Sequence, residues 1–290
     1  MNPLVEFAVK REAIRKKKAA GEPAPWTDDP IFQYRFTNVR RRDDRVSCWI
    51  NENVLSTLGS RKTSLEAFLM FSALCRWVNW PPTIALLMAR GFYPVKQLDL
   101  LAIGKFIDKQ TASGIKTWTG AYLVRAKPGD KKGKGRFVAV EVIKKPLTKI
   151  MPQLLQALSA KTRSRKEIWE LLYNCHNWGS FSAGQVVDDW SWTKLLASAS
   201  DHYTWTPQGP GSLRGFNRVL GLPLKTRHSE EEWCNQLQVW RREIIAALGV
   251  EYEDLTLADV QNCCCETDKM LRTRNGEGRP RSKYRSESAF

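Results

Sequence analysis

The amino-acid sequence predicts an all-α, mainly helical fold. Apolar residues recur at helical spacing through most of the chain, and the breaks between these periodic segments carry Gly, Pro or Asn. Hydrophobic residues make up 42% of the 290 residues and aromatic residues 10%, which is enough apolar surface to offset the conformational entropy lost on folding. We expect one two-lobed helical domain over residues 1–272, followed by a basic, flexible tail over residues 273–290.

The first helices are indicated by periodicity and by their end signals. Residues 4–19 alternate apolar and basic side chains at helical spacing, and Gly21 ends this helix. Residues 38–57 repeat the pattern and predict a second helix. The segment 64–80 is apolar on nearly every face, with Ser64 as a candidate N-cap, and this predicts a central buried helix.

The middle of the chain contains the one candidate for β structure. After a predicted helix over residues 95–109, the stretch 117–143 is compatible with a small β element, and its first part fits either a short strand or a helix start. Residues 127–136 form a glycine-broken basic stretch, which predicts a solvent-facing loop able to contact phosphates. Helical patterns resume over 147–160, 164–174, 181–198, 229–248 and 256–272.

The charge balance favours a polyanionic partner. Lys and Arg number 46 against 30 Asp and Glu, giving a net charge of +16 and a pI near 9.7. A membrane is disfavoured, because no apolar run approaches the roughly 18 residues of a transmembrane helix and the N-terminus does not resemble a signal peptide. We therefore expect a nucleic-acid partner and a cytoplasmic location, with a merely solubilising basic surface as the alternative.

The sequence lacks the motifs of disulfide frameworks, zinc sites and P-loops. The seven cysteines include three adjacent ones at 263–265, a pattern that fits neither a disulfide ladder nor paired zinc knuckles and indicates reduced thiols. The chain has no CxxC pair of the zinc deaminases and no P-loop, and its three histidines lack a spaced set of partners. We predict no protein-bound metal site.

A glycine turn at residues 207–221 is the most informative short segment. Gly209 and Gly211 allow a tight turn, and Ser212 can start the next helix. Unpaired N–H groups and the helix dipole at such a start favour a phosphate, so these residues are predicted to hold the DNA backbone. Arg214 and Arg218, four residues apart, would share one face of that helix. An ordinary connection between helices is the alternative.

Carboxylates supply the candidates for acid or base chemistry. Asp188 and Asp189 lie in FSAGQVVDDW, and Glu266 and Asp268 lie in CETDK near the C-terminus. Exposed carboxylates are common on protein surfaces, so each of them is equally compatible with a simple surface charge.

Taken together, the motifs resemble the alpha-glutamyl/putrescinyl thymine pyrophosphorylase family of phage DNA thymine hypermodification. The resemblance runs through most of the chain in four separated motifs. They are a DPI turn followed by YRFTNV (Trp26 to Asp44), WTGAYLV with FSAGQVVDD (Gly120, Ala121, Tyr122; Phe181, Ala183, Gln185, Asp189), GPGSLRGFNR, and CETDK followed by GEGRPR. The chain departs from the family at CETDKM, where members tend to have CEFDKY, and at Arg40, where they tend to have an aromatic residue.

The resemblance implies a helix-hairpin-helix, DNA-glycosylase-like fold with the hairpin at residues 209–212. It also implies a reaction in the cytoplasm of the infected bacterial host. In that reaction an amine or amino acid, such as glycine, glutamate or putrescine, displaces pyrophosphate from 5-(pyrophosphoryloxymethyl)deoxyuridine in double-stranded phage DNA. The base would be flipped out of the stack, and Trp26 or Phe36 would stack on it. The need for Mg²⁺ and the identity of the amine stay open.

The implied reaction assigns roles to residues within the motifs. Cations would stabilise the leaving pyrophosphate, for which Arg35, Arg41, Arg214 and Lys269 are candidates, and a carboxylate would take the proton of the amine, for which Asp189 or Glu266 is the candidate. Asn38 and Gln185 would read the uracil edge. The full predicted set comprises the catalytic Asp189, Glu266, Asp268 and Lys269, and the substrate-binding Arg35, Asn38, Arg41, Asp44, Gln185, Arg214, Asn217 and Arg218.

Two other functions remain open. A base-excising glycosylase would share the implied fold, but the hairpin has no Lys and no Asp occurs from residue 212 to residue 253. A non-catalytic DNA-binding module would explain the charge equally well.

Overall fold

The computed structural model describes residues 2–120, 133–278, 280 and 283. It confirms the all-α class, since the described residues contain helices and no β-strand. Only an isolated antiparallel bridge joins Tyr34 to Lys283 among them. The chain divides into two compact units, one formed by residues 1–44 and 201–289 and the other by residues 45–200.

Helices and the short connections between them make up most of the described residues. In chain order the helices are α1 (Pro3–Ala19), α2 (Arg45–Asn53), α3 (Leu65–Val78), α4 (Pro81–Ala89), α5 (Leu100–Ala112), α6 (Lys134–Arg136), a π-helix (Phe137–Lys144), α7 (Lys145–Ser159), α8 (Arg165–Tyr173), α9 (Ser180–Ser191), α10 (Pro210–Val219), α11 (Glu230–Leu248) and α12 (Leu257–Arg274), with short 3-10 helices at Arg41–Asp43, Leu55–Thr57 and Val250–Tyr252.

Local capping chemistry fixes several of these helix starts. The Ser64 hydroxyl accepts the Ala67 N–H at 3.1 Å, as its position before the apolar run predicted. α12 starts with a reciprocal capping box, in which Thr256 accepts the Asp259 N–H and the Asp259 carboxylate accepts the Thr256 N–H. The predicted helix over residues 38–57 is divided, because 3-10 turns flank the shorter α2.

The prediction of β structure within 117–143 is wrong for the part that the structure describes. Residues 134–144 are helical, and they pack against α5 so closely that a Cβ on Gly104 would lie 2.7 Å from the Arg136 Cα. The predicted solvent-facing loop at 127–136 is also corrected over residues 133–136, because Gly135 is buried and donates its N–H to Asp108 at 2.6 Å. Residues 121–132 lie outside the described residues.

The unit formed by residues 45–200 is built around α3, which is buried over most of its length, as its all-round apolar sequence predicted. Phe71 stacks on Tyr93 with ring centroids 4.0 Å apart. The Trp190 indole N–H donates to the Ser72 hydroxyl at 2.9 Å, which satisfies two polar groups inside this core.

The unit formed by residues 1–44 and 201–289 packs α10 and α1 against α12, and α1 also against α11. The crossing of α10 and α12 is very close, since a Cβ on Gly215 would lie 1.8 Å from the Cys264 carbonyl oxygen. Phe32 and Phe36 pack together with ring centroids 5.3 Å apart, and both contact Phe7 of α1. The contacts with α10 and α1 bury α12 on two sides.

The cysteines and the helix lengths agree with the compositional analysis. All seven cysteines are free thiols, and burial raises the pKa of Cys263 and Cys264 well above the usual range, so these thiols stay protonated. Within the described parts of the chain, none of the helices combines the length and the apolar character that crossing a bilayer requires.

Candidate functional site

One face of α12 binds the backbone of the irregular segment that carries the YRFTNV motif. Glu266 accepts the Thr37 N–H at 3.1 Å, and the Asn262 amide donates to the Thr37 hydroxyl at 2.8 Å. Asp259 accepts the Arg41 N–H at 2.8 Å. Side chains at positions 259, 262 and 266 share a helix face, so α12 supplies the hydrogen bonds that a neighbouring strand would otherwise provide.

Lys269 continues this face by one turn. Its ammonium group lies 2.6 Å from the Glu266 carboxylate, donates to the Arg35 carbonyl at 3.1 Å and sits 4.7 Å from the centroid of the Phe36 ring. Glu266 is only 7% exposed. The pair is therefore a largely desolvated carboxylate and ammonium, held in place by backbone groups of the motif.

Asn38 and Asp44 form a second cluster of hydrogen-bonded polar groups beside this face. The Asn38 N–H donates to the Asp44 carboxylate at 2.7 Å, and the Asn38 side-chain amide donates to the Asp43 carbonyl and accepts from Arg11. The Asn38 amide thus orders the loop from residue 36 to residue 44. Reading a uracil edge with it would require these hydrogen bonds to be exchanged.

Burial raises the pKa of both Asp43 and Asp44, and the shift of Asp44 is the larger. Burial raises the pKa of Asp44 to about 6, while the Arg41 guanidinium and the Asn38 N–H act in the opposite direction. The nearby Glu266 charge raises the pKa further. A carboxyl with such a pKa exchanges protons close to physiological pH, so Asp44 is chemically suited to acid–base work as well as to the predicted substrate binding.

The opposite face of α12 carries a buried carboxylate that holds three arginines. Asp268 is 1% exposed and lies 3.2 Å from Arg214, 2.8 Å from Arg218 and 3.2 Å from Arg272. Arg218 also pairs with Glu277. The side chains of Arg214 and Arg272 remain 43% and 40% exposed, so one buried anion orients two cations that reach the surface.

The glycine turn lies at this same corner. Gly209 caps α10 through a reciprocal bond with the Ser212 hydroxyl, and Gln261 of α12 donates to that hydroxyl at 2.8 Å. A Cβ on Gly211 would lie 2.7 Å from the Cys265 sulfur, so a larger residue there would require the Cys265 side chain to move. The turn differs from the predicted hairpin between two helices, because the described residues 192–208 before it contain no helix.

Asn217 supports the end of α10. It is fully buried, its amide donates to the Leu224 and Thr226 carbonyls, and its oxygen bonds the His228 ring. All its side-chain groups are thus committed to the loop that joins α10 to α11. This arrangement accounts for Asn217 as a structural residue, while its predicted contact with substrate stays a prediction.

Asp189 and Gln185 belong to the other compact unit. Asp189 is 1% exposed and forms two hydrogen bonds with Arg76, whose guanidinium also donates to the Ser47 hydroxyl at 2.9 Å. Asp188 pairs with the buried Arg165 at 2.6 Å. FSAGQVVDD therefore forms buried ion pairs, and Gln185 is 5% exposed on the same helix.

The structure thus brings three of the four motif groups into one unit, namely the YRFTNV segment, the glycine turn and CETDK. Of the WTGAYLV motif, Ala121 and Tyr122 lie outside the described residues. Sequence reasoning did not select Thr37, Asn262 or Arg272. The last two could have been found from helical spacing, because Asn262 precedes Glu266 by four residues and Arg272 follows Asp268 by four.

No group of three or more His, Cys, Asp or Glu side chains is arranged to hold a metal ion in the part of the chain that the structure describes. The groups that meet at this site are instead carboxylates, guanidinium groups and one ammonium group.

Comparison with known proteins agrees with the motif analysis at the level of the family. Residues 1–279 match the family model described as 5-hmdU DNA kinase, helical domain. The 5-hmdU DNA kinase of Bacillus phage SP10 is 26% identical over 265 residues, which cover 86% of this chain but only 41% of that relative. No solved structure matches the chain. The matches support a place among phage thymine-modification proteins but name a kinase, not a pyrophosphate-displacing enzyme. The chain belongs to the family of the helical domain of 5-hmdU DNA kinases.

Proposed function

We propose that this chain is a transferase that acts on double-stranded phage DNA and replaces the pyrophosphate of 5-(pyrophosphoryloxymethyl)deoxyuridine with an amine or amino acid. The nitrogen of the co-substrate attacks the methylene carbon on C5 of the base. The bond between that carbon and the pyrophosphate oxygen breaks, and pyrophosphate leaves with the electron pair. The proton lost by the nitrogen passes to a carboxylate of the protein.

The observation that carries this proposal is the arginine cluster on Asp268. Negative charge concentrates on pyrophosphate as it leaves, and cations that are already oriented stabilise it without reorganisation. Arg214 and Arg272 are oriented in this way by one buried carboxylate, next to the glycine turn at the start of α10. Gly209, Gly211 and Ser212 would hold a backbone phosphate at the same corner. Arg218, Arg35 and Arg41 would add positive charge.

Glu266 is the better placed of the two candidate bases. It lies beside Asp44 and on the same helix as Asp268, although on the opposite face of that helix, and it accepts hydrogen bonds from a backbone N–H and an ammonium group. The Lys269 ammonium group lies 2.6 Å from the Glu266 carboxylate and fixes its position. Asp189 is held by Arg76, so a role as base would require that pair to open.

The test uses a duplex with one pyrophosphorylated 5-hydroxymethyluracil, incubated with a mixture of glycine, glutamate and putrescine. Pyrophosphate release is measured, and the nucleosides are then identified by mass spectrometry. Wild-type protein should release pyrophosphate and give one new nucleoside. Glu266→Gln should slow transfer by about 10²- to 10⁴-fold, the usual contribution of a general base, and leave DNA binding unchanged. Full activity in both Glu266→Gln and Asp189→Asn would refute the base assignment.

The same reactions separate the competing functions. Abasic sites in place of a new nucleoside would identify a base-excising glycosylase. Salt-dependent binding without any product would identify a DNA-binding module. Parallel reactions with and without a chelator would show whether Mg²⁺ is required.

Phosphorylation of 5-hydroxymethyluracil is the second candidate, because the relative in Bacillus phage SP10 is named a 5-hmdU DNA kinase. The chain aligns with less than half of that protein and contains no P-loop sequence. Incubation with γ-labelled ATP and duplex DNA carrying 5-hydroxymethyluracil tests this candidate. Transfer of label to the DNA would replace the amine-transfer proposal.

A further inference from the structure

A cavity of about 350 Å³ lies between the end of α1 and the irregular segment that follows it. Its walls include Ile14, Trp26 and Phe32, and its polar groups include Thr27, Gln33 and Lys283. The volume falls in the lower part of the range of small-molecule pockets, about 300–1,000 Å³. All of these residues belong to the unit that contains the arginine cluster.

The cavity is held open by ordered neighbours. Asp29 accepts the Ile31 N–H at 2.9 Å and pairs with Lys10 of α1 at 2.8 Å, which anchors the DPI turn. The Trp26 indole N–H donates to the Glu22 carbonyl at 2.7 Å, and the Lys18 ammonium lies 4.8 Å from the centroid of the Trp26 ring. The aromatic wall is therefore fixed before any ligand enters.

The lining chemistry matches a planar heterocycle. An indole and a phenyl ring provide surfaces for stacking, and a primary amide presents a donor and an acceptor side by side, as the imide edge of a pyrimidine requires. Among the described residues, the Gln33 side-chain amide has no hydrogen-bond partner and so is available for this role. A polyamine would need carboxylates, and none stands among the described residues that line the cavity.

We propose that this cavity receives one nucleobase that has left the DNA stack, with Trp26 stacking on it and Gln33 pairing with its edge. Lys283, at the rim, contacts the phosphate of the same nucleotide. The inference rests on the proposed function only in taking DNA as the substrate. From the cavity the chain runs directly through Phe36 to Thr37 and Asn38, which contact Glu266 and Asp44.

The test is a duplex with 2-aminopurine placed next to a single thymine, 5-hydroxymethyluracil or pyrophosphorylated 5-hydroxymethyluracil. Extrusion of the neighbouring base raises the 2-aminopurine fluorescence, and titration gives the affinity. Trp26→Ala should weaken binding of the extruded state by about 5- to 150-fold, the range that stacking of one base on an aromatic side chain supplies. Gln33→Leu should weaken binding of the extruded state for all three bases alike, because thymine and both modified bases present the same imide edge to Gln33.

Tyr203→Ala is the matched control, because Tyr203 is a 45% exposed aromatic residue of the same unit outside the cavity. It should behave like wild type. Gln33→Leu alters a side chain without hydrogen bonds in the described structure, so it tests the pocket even if Trp26→Ala disturbs folding. Wild-type fluorescence and affinity in both Trp26→Ala and Gln33→Leu would overturn the inference. It would also be overturned if these variants changed only the KM for the amine in the transfer assay.

The two proposals fail in different ways. Extrusion that depends on Trp26 without pyrophosphate release would support the base pocket and refute the transferase. Pyrophosphate release that is unaffected by Trp26→Ala and Gln33→Leu would support the transferase and refute the pocket.

Discussion

At the scale of single residues, the site depends on carboxylates with different surroundings. Asp268 is buried among guanidinium groups, Glu266 is balanced by one ammonium group, and Asp44 is the carboxyl whose pKa burial raises to about 6. These environments suit Asp268 to orienting cations and Asp44 to titrating near neutral pH, while Glu266 accepts hydrogen bonds from a backbone N–H and an ammonium group. The carboxylates are therefore expected to respond differently to substitution.

Asp268→Asn removes the group that orients the arginine side chains, whereas Arg214→Ala removes one of the positive charges itself. Loss of the buried Asp268 charge leaves three guanidinium groups without their shared partner and should lower the free energy of unfolding by about 2 kcal/mol. Arg214 is 43% exposed, so its loss should cost at most about 1 kcal/mol of stability. Both variants should bind inorganic pyrophosphate more weakly than wild type in calorimetric titrations. Unchanged pyrophosphate affinity in Arg214→Ala would remove that residue from the site.

Asp44→Asn should change how stability depends on pH. The pKa of Asp44 is raised to about 6 from 3.8, so the folded state holds this proton more tightly than the unfolded chain. The resulting stabilisation is present in full below about pH 4 and is lost as the pH rises through 6. Between pH 4 and pH 7, wild type should therefore lose about 1–2 kcal/mol relative to Asp44→Asn, as measured by urea unfolding. Parallel pH profiles of the two proteins would contradict the assignment.

At the scale of elements, the close crossing of α10 and α12 connects the glycine turn to the carboxylates. A Cβ on Gly215 would lie 1.8 Å from the Cys264 carbonyl oxygen, which belongs to rigid helix backbone. Gly215→Ala should thus force the helices apart and lower the free energy of unfolding by about 1–3 kcal/mol. Gly211→Ala is the control, because its Cβ would meet the Cys265 side chain, which can rotate. Equal stability of both variants would show that the crossing tolerates a methyl group.

Helices with strong periodicity or capping signals could be predicted from the sequence, and those that depend on tertiary contacts could not. α1 and α3 lie within a few residues of their predicted bounds. The stretch FVAVEVIK is rich in β-branched residues, yet it is helical and packs against α5. The hydrogen bonds of Thr37 and Asn262, which join the YRFTNV segment to α12, could not be predicted because they depend on tertiary geometry.

At the scale of the whole molecule, the net charge of +16 bears on the proposed binding of DNA. Most of this charge lies outside the candidate site and gives a sequence-independent attraction to phosphates. Specificity for a modified base must then come from the few groups that contact the base and its pyrophosphate. The dependence of affinity on salt separates these two contributions, since only contacts with phosphates release counterions.

The logarithm of the affinity for duplex DNA should therefore fall linearly with the logarithm of the salt concentration. Arg214→Ala and Arg272→Ala should each reduce the slope by about one, because each removes one cation that Asp268 orients and that reaches the surface. Trp26→Ala should lower the affinity for the modified duplex without changing the slope, since stacking displaces no counterion. Fluorescence anisotropy between about 50 and 200 mM salt gives the slopes. Wild-type slopes in both arginine variants would mean that the DNA backbone follows another face of the molecule.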